Sequence, residues 1–449
     1  MHRSHKIVIS TAAIVLFCSF ALNLFLVNLA SDKAYAGKIL ISFDELNLVK
    51  DALNLIRNHY VDGAKVEKEN LLYGAIDGMI AKLEDPYSRF MPPKNYKDMQ
   101  EDTRGSFGGL GMMLGEKNKR LAVISPIVDT PAYRAGVQAG DFIVKVDDKD
   151  VSGMSVEDVV KILRGVPGTK VKVSIYREGM KHLLDYNLVR EEIKVPALKA
   201  QMIDDEIGYA VLSSFTQRAP EELDAALEKF EKRGMKAFIL DLRHNPGGLL
   251  EAAVNIGRLF LTGSRIVTIK ARTGEETPYS AYTAKYRKFP LIVLIDSGSA
   301  SASEIVAGAV KDTKRGILLG QKSFGKGSVQ TVMQLSDGSA MAITTAYYYT
   351  PGGTCIHKVG IEPDIKVELP KLDDGQAKEF RDDRSKFMND AVSGASDASK
   401  PQFMKVSQYD SQLLRAVDIL KSSVVFYDKL LQQKNAAAAA GPASTTPAH

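Results

Sequence analysis

Between Val195 and Pro370 the chain alternates two textures. Largely apolar runs, Ile207 to Phe215, Ala237 to Leu242 and Leu291 to Ile295, are each followed by a stretch in which apolar positions recur every three or four residues, at 220–232, 249–260 and 301–311. An unbroken apolar run suits a strand buried on both faces, and the helical period gives each helix one covering face. The pattern predicts an α/β core with strands sheathed by helices. Val329 to Leu335 and Ala340 to Tyr349, joined by Ser336-Asp337-Gly338, read as a β-hairpin.

The flanks are patterned differently. Residues 105–190 carry short β runs with glycine turns, among them Leu121 to Ile124, Asp141 to Val146 and Val171 to Tyr176, and one short helix, Ser155 to Leu163, which Ser155 caps. Residues 37–104 have helical spacing (Leu46, Val49, Leu53, Ile56; then Leu71, Leu72, Ala75, Met79), broken at Asp85-Pro86 and Pro92-Pro93. Those apolar faces need cover, from the rest of the chain or from a second subunit. Residues 371–433 form a charged helical region with an amphipathic helix near Ser411 to Leu431, and the alanine- and proline-rich 434–449 is expected to be disordered. There is no internal repeat.

The first 36 residues change the setting. Ile7 to Val27 is almost wholly apolar, follows Arg3 and Lys6, and is trailed by Ala34-Tyr35-Ala36, the small-x-small pattern of a signal-peptidase site. A cleaved signal peptide and an uncleaved anchor both fit, and either exports the bulk of the chain to the bacterial periplasm or cell envelope. Without this segment, which carries Arg3, Lys6, Lys33 and Asp32, the formal net charge falls from +5 to +3, too mild to argue for nucleic acid. Cys18 lies in the leader, so Cys355 is alone in the mature chain and no intramolecular disulfide can form.

Candidate chemistry centres on a serine cluster and a lysine. Gly298-Ser299-Ala300-Ser301-Ala302-Ser303-Glu304 joins the Leu291 to Ile295 run to a helix, and Lys326 sits between Gly325 and Gly327. A hydroxyl is a poor nucleophile until a base takes its proton, and a desolvated, neutral lysine can do so. Ser301 to Glu304 is equally a capping box, in which the serine only satisfies the helix start. Gln330, four residues beyond Lys326, could accept a hydrogen bond from the amine, and Phe324 could exclude water. Arg243-His244-Asn245-Pro246-Gly247-Gly248 is either a tight strand-to-helix turn or a source of N–H groups for an oxyanion. Of seven histidines only His244 and His357 lie in the core region, and neither accompanies a Gly-x-Ser-x-Gly elbow. Gly320 to Lys326 nearly spells a phosphate-binding loop but has Gly327 where a magnesium-binding hydroxyl is needed.

These motifs together resemble the carboxyl-terminal processing peptidases, or tail-specific proteases. The likeness spans Phe43 to Pro370 and rests on Asp85-Pro86-Tyr87-Ser88, Gly108-Gly109-Leu110-Gly111, Asp241 to Gly248, Gly298 to Glu304, Phe324 to Gln330 and Gly360-Ile361-Glu362-Pro363-Asp364. It implies a crotonase/ClpP-like α/β protease core over 191–370 with an inserted PDZ-type module. It also implies that Ser301 is the nucleophile rather than Ser299 or Ser303, Lys326 the general base and Gln330 its positioner, with an oxyanion hole from Ala302 and the Gly247-Gly248 turn. In the PDZ module, Gly109, Leu110 and Gly111 would hold a peptide carboxylate on backbone N–H groups, and Met112, Leu114, Val159 and Leu163 would line an apolar groove. His244 departs from the family pattern, which has Asn or Asp there.

The resemblance implies an exported endoprotease that takes apolar, unstructured C-terminal tails and works through an acyl-enzyme without a cofactor. Expected partners are protein substrates, a lipoprotein adaptor and further copies of the chain, joined through the helical termini. A PDZ scaffold or chaperone with gated or absent proteolysis is the competing class. An acyl-CoA enzyme of crotonase type shares the architecture but sits badly with export and with the PDZ module.

Overall fold

The computed structural model describes residues 42–118, 120–282, 287–390 and 399–439. The leader, Cys18, His449 and the last ten residues lie outside them. Two compact units divide between Lys82 and Leu83.

The smaller unit contains α1 (Phe43–His59) and α2 (Lys68–Ala81). Ser42 starts α1 with a capping box, its N–H donating to Glu45 Oε2 at 2.7 Å while Glu45 N–H donates to its Oγ at 3.2 Å. Leu46, Leu48, Val49, Leu55 and Ile56 of α1 stay exposed.

The larger unit opens with β1 (Arg89–Met91) and α3 (Pro93–Arg104). A β module follows: β2 (Ser106–Gly109), β3 (Met112–Lys117), β4 (Arg120–Pro126), the single-turn α4 (Pro131–Arg134), β5 (Phe142–Val146), β6 (Lys149–Asp150), α5 (Val156–Leu163), β7 (Lys170–Tyr176), β8 (Leu184–Val189) and β9 (Glu191–Lys194). Its sheet runs β3-β4-β5-β7-β8, and β2 pairs antiparallel with β9, so the chain enters and leaves the module through one two-stranded ribbon.

The core holds β10 (Leu198–Met202), β11 (Ile207–Leu212), α6 (Ala219–Lys232), β12 (Ala237–Asp241), α7 (Leu250–Phe260), β13 (Ser264–Ala271), β14 (Glu276–Ala281), β15 (Leu291–Ile295), α8 (Ala302–Asp312), β16 (Ile317–Gly320), β17 (Ser328–Gln334), β18 (Ala340–Tyr349) and β19 (Ile365–Lys366). The central sheet runs β10-β11-β12-β15-β16-β19 and is parallel from β11 onward. A second sheet pairs β18 with β1, β13 and β17, and β14 with β13. Pairing of Arg89 to Met91 with Ala340 to Ala342, and packing of Tyr96 and Met99 on Met91, place β1 and α3 in this unit rather than with the first two helices.

Period-two alternation along the central strands explains the C-terminal helices α9 (Asp374–Asp390), α10 (Ser399–Ser407) and α11 (Ser411–Ala439). Leu212, Phe238, Leu240, Val293 and Leu318 point to the face covered by α6, α7 and α8. Ile207, Tyr209, Ile239, Ile292, Leu294 and Leu319 point to the other, covered by Phe387, Phe403, Val406, Leu413, Val417, Leu420 and Val424. The C-terminal helices therefore spend most of their apolar surface inside the subunit, leaving Val425 and Phe426 among the exposed large residues of α11. That helix continues through Ala439, past residue 434, where the sequence pattern places a disordered tail. Replacing Leu420, 2% exposed, by alanine is expected to cost about 2–5 kcal/mol in urea unfolding; a peripheral helix would lose less than about 0.5 kcal/mol.

Candidate active site

Two loops meet at the carboxyl ends of the adjacent parallel strands β12 and β15, the end of an open α/β sheet where ligand sites form. The β15 loop sorts its three serines. Ser299 is fully buried, its Oγ donating to Leu242 O at 2.8 Å and accepting from Asp296 N at 2.9 Å; Ser303 is fully buried, its Oγ donating to Asn245 O at 2.9 Å. Ser301 is only partly buried and holds φ 55°, ψ −111°, a conformation costly for a residue with a side chain. The capping box it forms with Glu304 is lopsided. Its N–H donates to Glu304 Oε2 at 2.8 Å, whereas the Glu304 N–H is shared between Oγ and the Ser301 carbonyl, with its well-formed bond, 2.9 Å, to the carbonyl.

Asn245 stitches the β12 loop to the β15 loop. Its side chain donates to Leu212 O at 2.7 Å and accepts from Gly247 N at 2.9 Å, and its carbonyl accepts from Ala300 N at 3.0 Å. Gly247, at φ 104°, passes so close that a Cβ there would lie 2.8 Å from Ser301 Cβ and 2.9 Å from Ala302 N. A Cβ on Gly248, at φ 146°, would instead strike the Phe215 backbone at 2.4 Å. His244, at φ 58°, turns outward: its exposed ring places Nδ1 3.0 Å from Asp296 Oδ2. Left-handed backbone is easier for Asn or Asp, which gives a conformational reason for the residue types usual at this position.

Glu304, whose role sequence reasoning limited to the capping box, organises the site. Its fully buried carboxylate accepts from Ser301 N, from Lys326 N at 2.9 Å, from Gly325 N at 2.7 Å and from Ser323 Oγ at 2.6 Å. Burial pushes its pKa up, against the pull of these four donors. The donors also dispose of the phosphate-loop reading, because the loop's N–H groups are turned onto an internal carboxylate.

Lys326 is half-buried, with Nζ 4.9 Å from the centre of the Tyr87 ring. Burial first, then the charge of Arg89, pushes its pKa down, and Asp85 opposes them. No hydrogen bond joins Nζ to Ser301 or Gln330 in this conformation. Gln330 is anchored by its Nε2, which donates to Ser328 Oγ at 2.9 Å and Thr344 Oγ1 at 3.1 Å. Tyr87 is held by an Asp85 turn: Asp85 accepts from Tyr87 N at 3.1 Å and Ser88 Oγ at 2.6 Å, and Ser88 Oγ accepts from Thr344 N at 3.1 Å. The covering ring is thus Tyr87, some 240 residues upstream; Phe324, proposed for that task from the sequence, is 58% exposed. The turn-forming Asp-Pro-Tyr-Ser was the one sequence signal that could have drawn attention to Tyr87.

In the β module, Gly109, Leu110, Gly111, Met112, Leu114 and Leu163, with Val160 and Arg164, line a cleft of about 180 Å³. Val159 does not. It is fully buried in the module's own core, because one helical step separates it from Val160. Gly111, at φ 77°, would carry a Cβ 2.2 Å from Thr130. The carbonyls of Leu110 and Gly111 accept from Ala132 N and Ile127 N, at 3.0 and 2.8 Å, and among the described residues their own N–H groups donate to no backbone acceptor.

Residues 206–367 match Peptidase family S41, residues 123–177 a PDZ domain, and residues 27–95 the N-terminal domain of the activating protease CtpB. The core and module are those of a peptidase equipped with a PDZ domain. The carboxy-terminal-processing protease of Bartonella bacilliformis is 42% identical over 337 residues, covering 73% of this chain and 76% of its own. The corresponding protease CtpA of Bacillus subtilis is 39% identical over 329 residues (73% and 69%), and that of Synechocystis 38% over 324 residues (71% and 76%). The chain belongs to the carboxy-terminal processing protease family.

Glu304→Gln would turn one acceptor oxygen into a donor facing N–H or O–H groups. The expected result is a loss of about 1–3 kcal/mol in thermal or urea unfolding, read beside the melting of Glu178→Gln, an exposed glutamate in the turn after β7 that should be neutral.

Proposed function

We propose that this chain is an exported serine endoprotease that captures apolar, unstructured C-terminal tails in its PDZ cleft and cleaves them through a Ser301–Lys326 dyad. The observation that carries the reading is the Glu304 carboxylate, one oxygen of which accepts from the backbone of both Ser301 and Lys326. Among the described residues Ser301 is also the one serine of the three whose hydroxyl donates to no acceptor.

In this mechanism the Lys326 side chain leaves the Tyr87 face and brings its neutral amine to Ser301 Oγ. The amine takes the serine proton as Oγ attacks the peptide carbonyl, and the resulting ammonium protonates the leaving amine, giving an acyl-enzyme. Water, deprotonated by the same lysine, then releases the acid. The oxyanion falls to Ala302 N–H at the start of α8 and to Gly248 N–H, since Gly247 N–H is already committed to Asn245. Gln330, fixed through Nε2, keeps Oε1 to accept from the ammonium. The free N–H groups of Leu110 and Gly111 would receive the tail's carboxylate, with Met112, Leu114, Val160 and Leu163 around its apolar side chain.

That Ser301, Lys326 and Gln330 are all present favours an enzyme over a scaffold that has lost its chemistry, and the unformed Nζ–Ser301 hydrogen bond suits a gated one. A lipoprotein adaptor, or assembly through the exposed apolar positions of α1, would supply the trigger. Export rests on the apolar Ile7 to Val27 run and the Ala34-Tyr35-Ala36 site; among the described residues no helix is long and apolar enough to cross a membrane.

Incubation with an unfolded substrate ending in apolar residues tests the reading. Wild type should cleave it, alone or once a candidate adaptor is added, Ser301→Ala and Lys326→Ala should lower kcat by at least about 10³-fold, and a C-terminally amidated substrate should raise KM. Full turnover by Lys326→Ala would refute the dyad. Activity should climb with pH as Lys326 sheds its proton, with a midpoint below the ordinary lysine value of about 10.4. Because the Arg89 charge depresses that midpoint, Arg89→Met should move the rising limb to higher pH, and added salt should mimic the change.

A further inference from the structure

The β12 loop leads, on the side away from Ser301, into a buried ionic cluster that the mechanism above leaves unused. Arg243 immediately precedes His244, and all five of its guanidinium hydrogens are committed. Nε donates to Asp241 Oδ1 at 2.9 Å, Nη2 to Asp241 Oδ2 at 2.7 Å and to Asp410 Oδ2 at 2.8 Å, and Nη1 to Asp410 Oδ1 at 2.8 Å and to Gln412 Oε1 at 3.0 Å. Asp241 and Asp410 are 0% and 1% exposed on their side chains. On the Asp241 side Tyr209 donates to Oδ2 at 2.7 Å and Arg384 of α9 reaches the same oxygen at 3.4 Å. Burial would lift the Asp241 pKa, but the arginine charges hold it at about 2.

Asp241 is local to the loop, whereas Asp410 and Gln412 belong to the C-terminal helical region. Asp410 accepts from Leu413 N–H at 2.9 Å at the start of α11, and Gln412 donates to Val367 O at 2.7 Å. One side chain therefore joins the end of α11 to the loop carrying Asn245, Gly247 and Gly248. We propose that Asp410 is a positioning residue for the reaction: through Arg243 it holds the Asn245–Gly248 loop at Ser301, so that the C-terminal helices are part of the catalytic apparatus. This rests on the protease reading given above.

The physical reason lies in the strain of the loop. Residues 244, 247 and 248 all have positive φ, and besides Arg243 the loop is tied only by individual hydrogen bonds, among them those of Asn245, His244 N–H to Asp296 Oδ1 at 2.9 Å and Phe215 N–H to Gly247 O at 2.9 Å. A saturated arginine, fixed between two carboxylates, denies the first of these residues the freedom to relax. Losing Asp410 leaves two guanidinium nitrogens short of an acceptor in a place water does not reach, and the arginine must shift to find others.

The test uses the full chain. Asp410→Asn preserves size and an acceptor for Leu413 N–H while removing the charge facing Arg243. It should lower kcat on the order of 10²-fold with KM and tail-peptide affinity unchanged, and should speed amide exchange over 243–248. Val417→Ala, in the same helix and 2% exposed, removes core packing without touching Arg243; it should lower the melting temperature yet keep wild-type kcat and loop exchange. Wild-type kcat and loop protection in Asp410→Asn would overturn the proposal, as would equal losses in Val417→Ala. Should wild type stay as inert as Ser301→Ala even with a candidate lipoprotein adaptor added, the protease reading fails, while loop exchange in Asp410→Asn still decides whether the clamp exists.

Discussion

Everything at the centre of this protein converges on the buried Glu304 carboxylate. It holds the backbone of Ser301 with one oxygen, shares that oxygen with the backbone of Lys326, and uses the other on Gly325 and Ser323. A buried carboxylate is tolerable only when its lone pairs are answered, so the two loops are obliged to meet there. Serine and lysine come together because a third residue, which need not touch substrate, cannot remain buried otherwise. The strained φ of Ser301 is sustained by the same bond.

Around that point the sheet acts as the rigid reference. β12 and β15 lie side by side at its middle, their loops leave from the same end, and both faces are sealed by helices. The second face is closed by the C-terminal region, so residues that read as an appendage are core. The Asp410–Arg243 pairing belongs to the same logic: the helices that bury Ile239 and Leu294 also deliver a charge to the loop that follows Asp241.

The PDZ module belongs to the same compact unit, and its Arg164 pairs with Glu101 of α3 at 3.6 Å. The β2–β9 ribbon is its chain connection to the core, and its cleft contains one helix face and one glycine loop whose amides are left unspent.

Period and punctuation in the sequence determined the elements themselves: the Leu291–Ile295 strand, the hairpin at Val329–Tyr349 and the helices near 220–232 and 249–260 all follow from local pattern, because burial on two faces or one is written residue by residue. The candidate serine and lysine were legible too, since small residues and glycines flank them. Local pattern could not tell Ser301 from Ser299 and Ser303, assign the groove to Val160 instead of Val159, or bring Tyr87 onto Lys326. Those depend on which hydroxyl finds a buried acceptor, on the rotation of α5 by one residue, and on a pairing between β1 and β18 across some 250 positions. Only the tertiary structure decides such matters, because burial and long-range contact are properties of the packed chain.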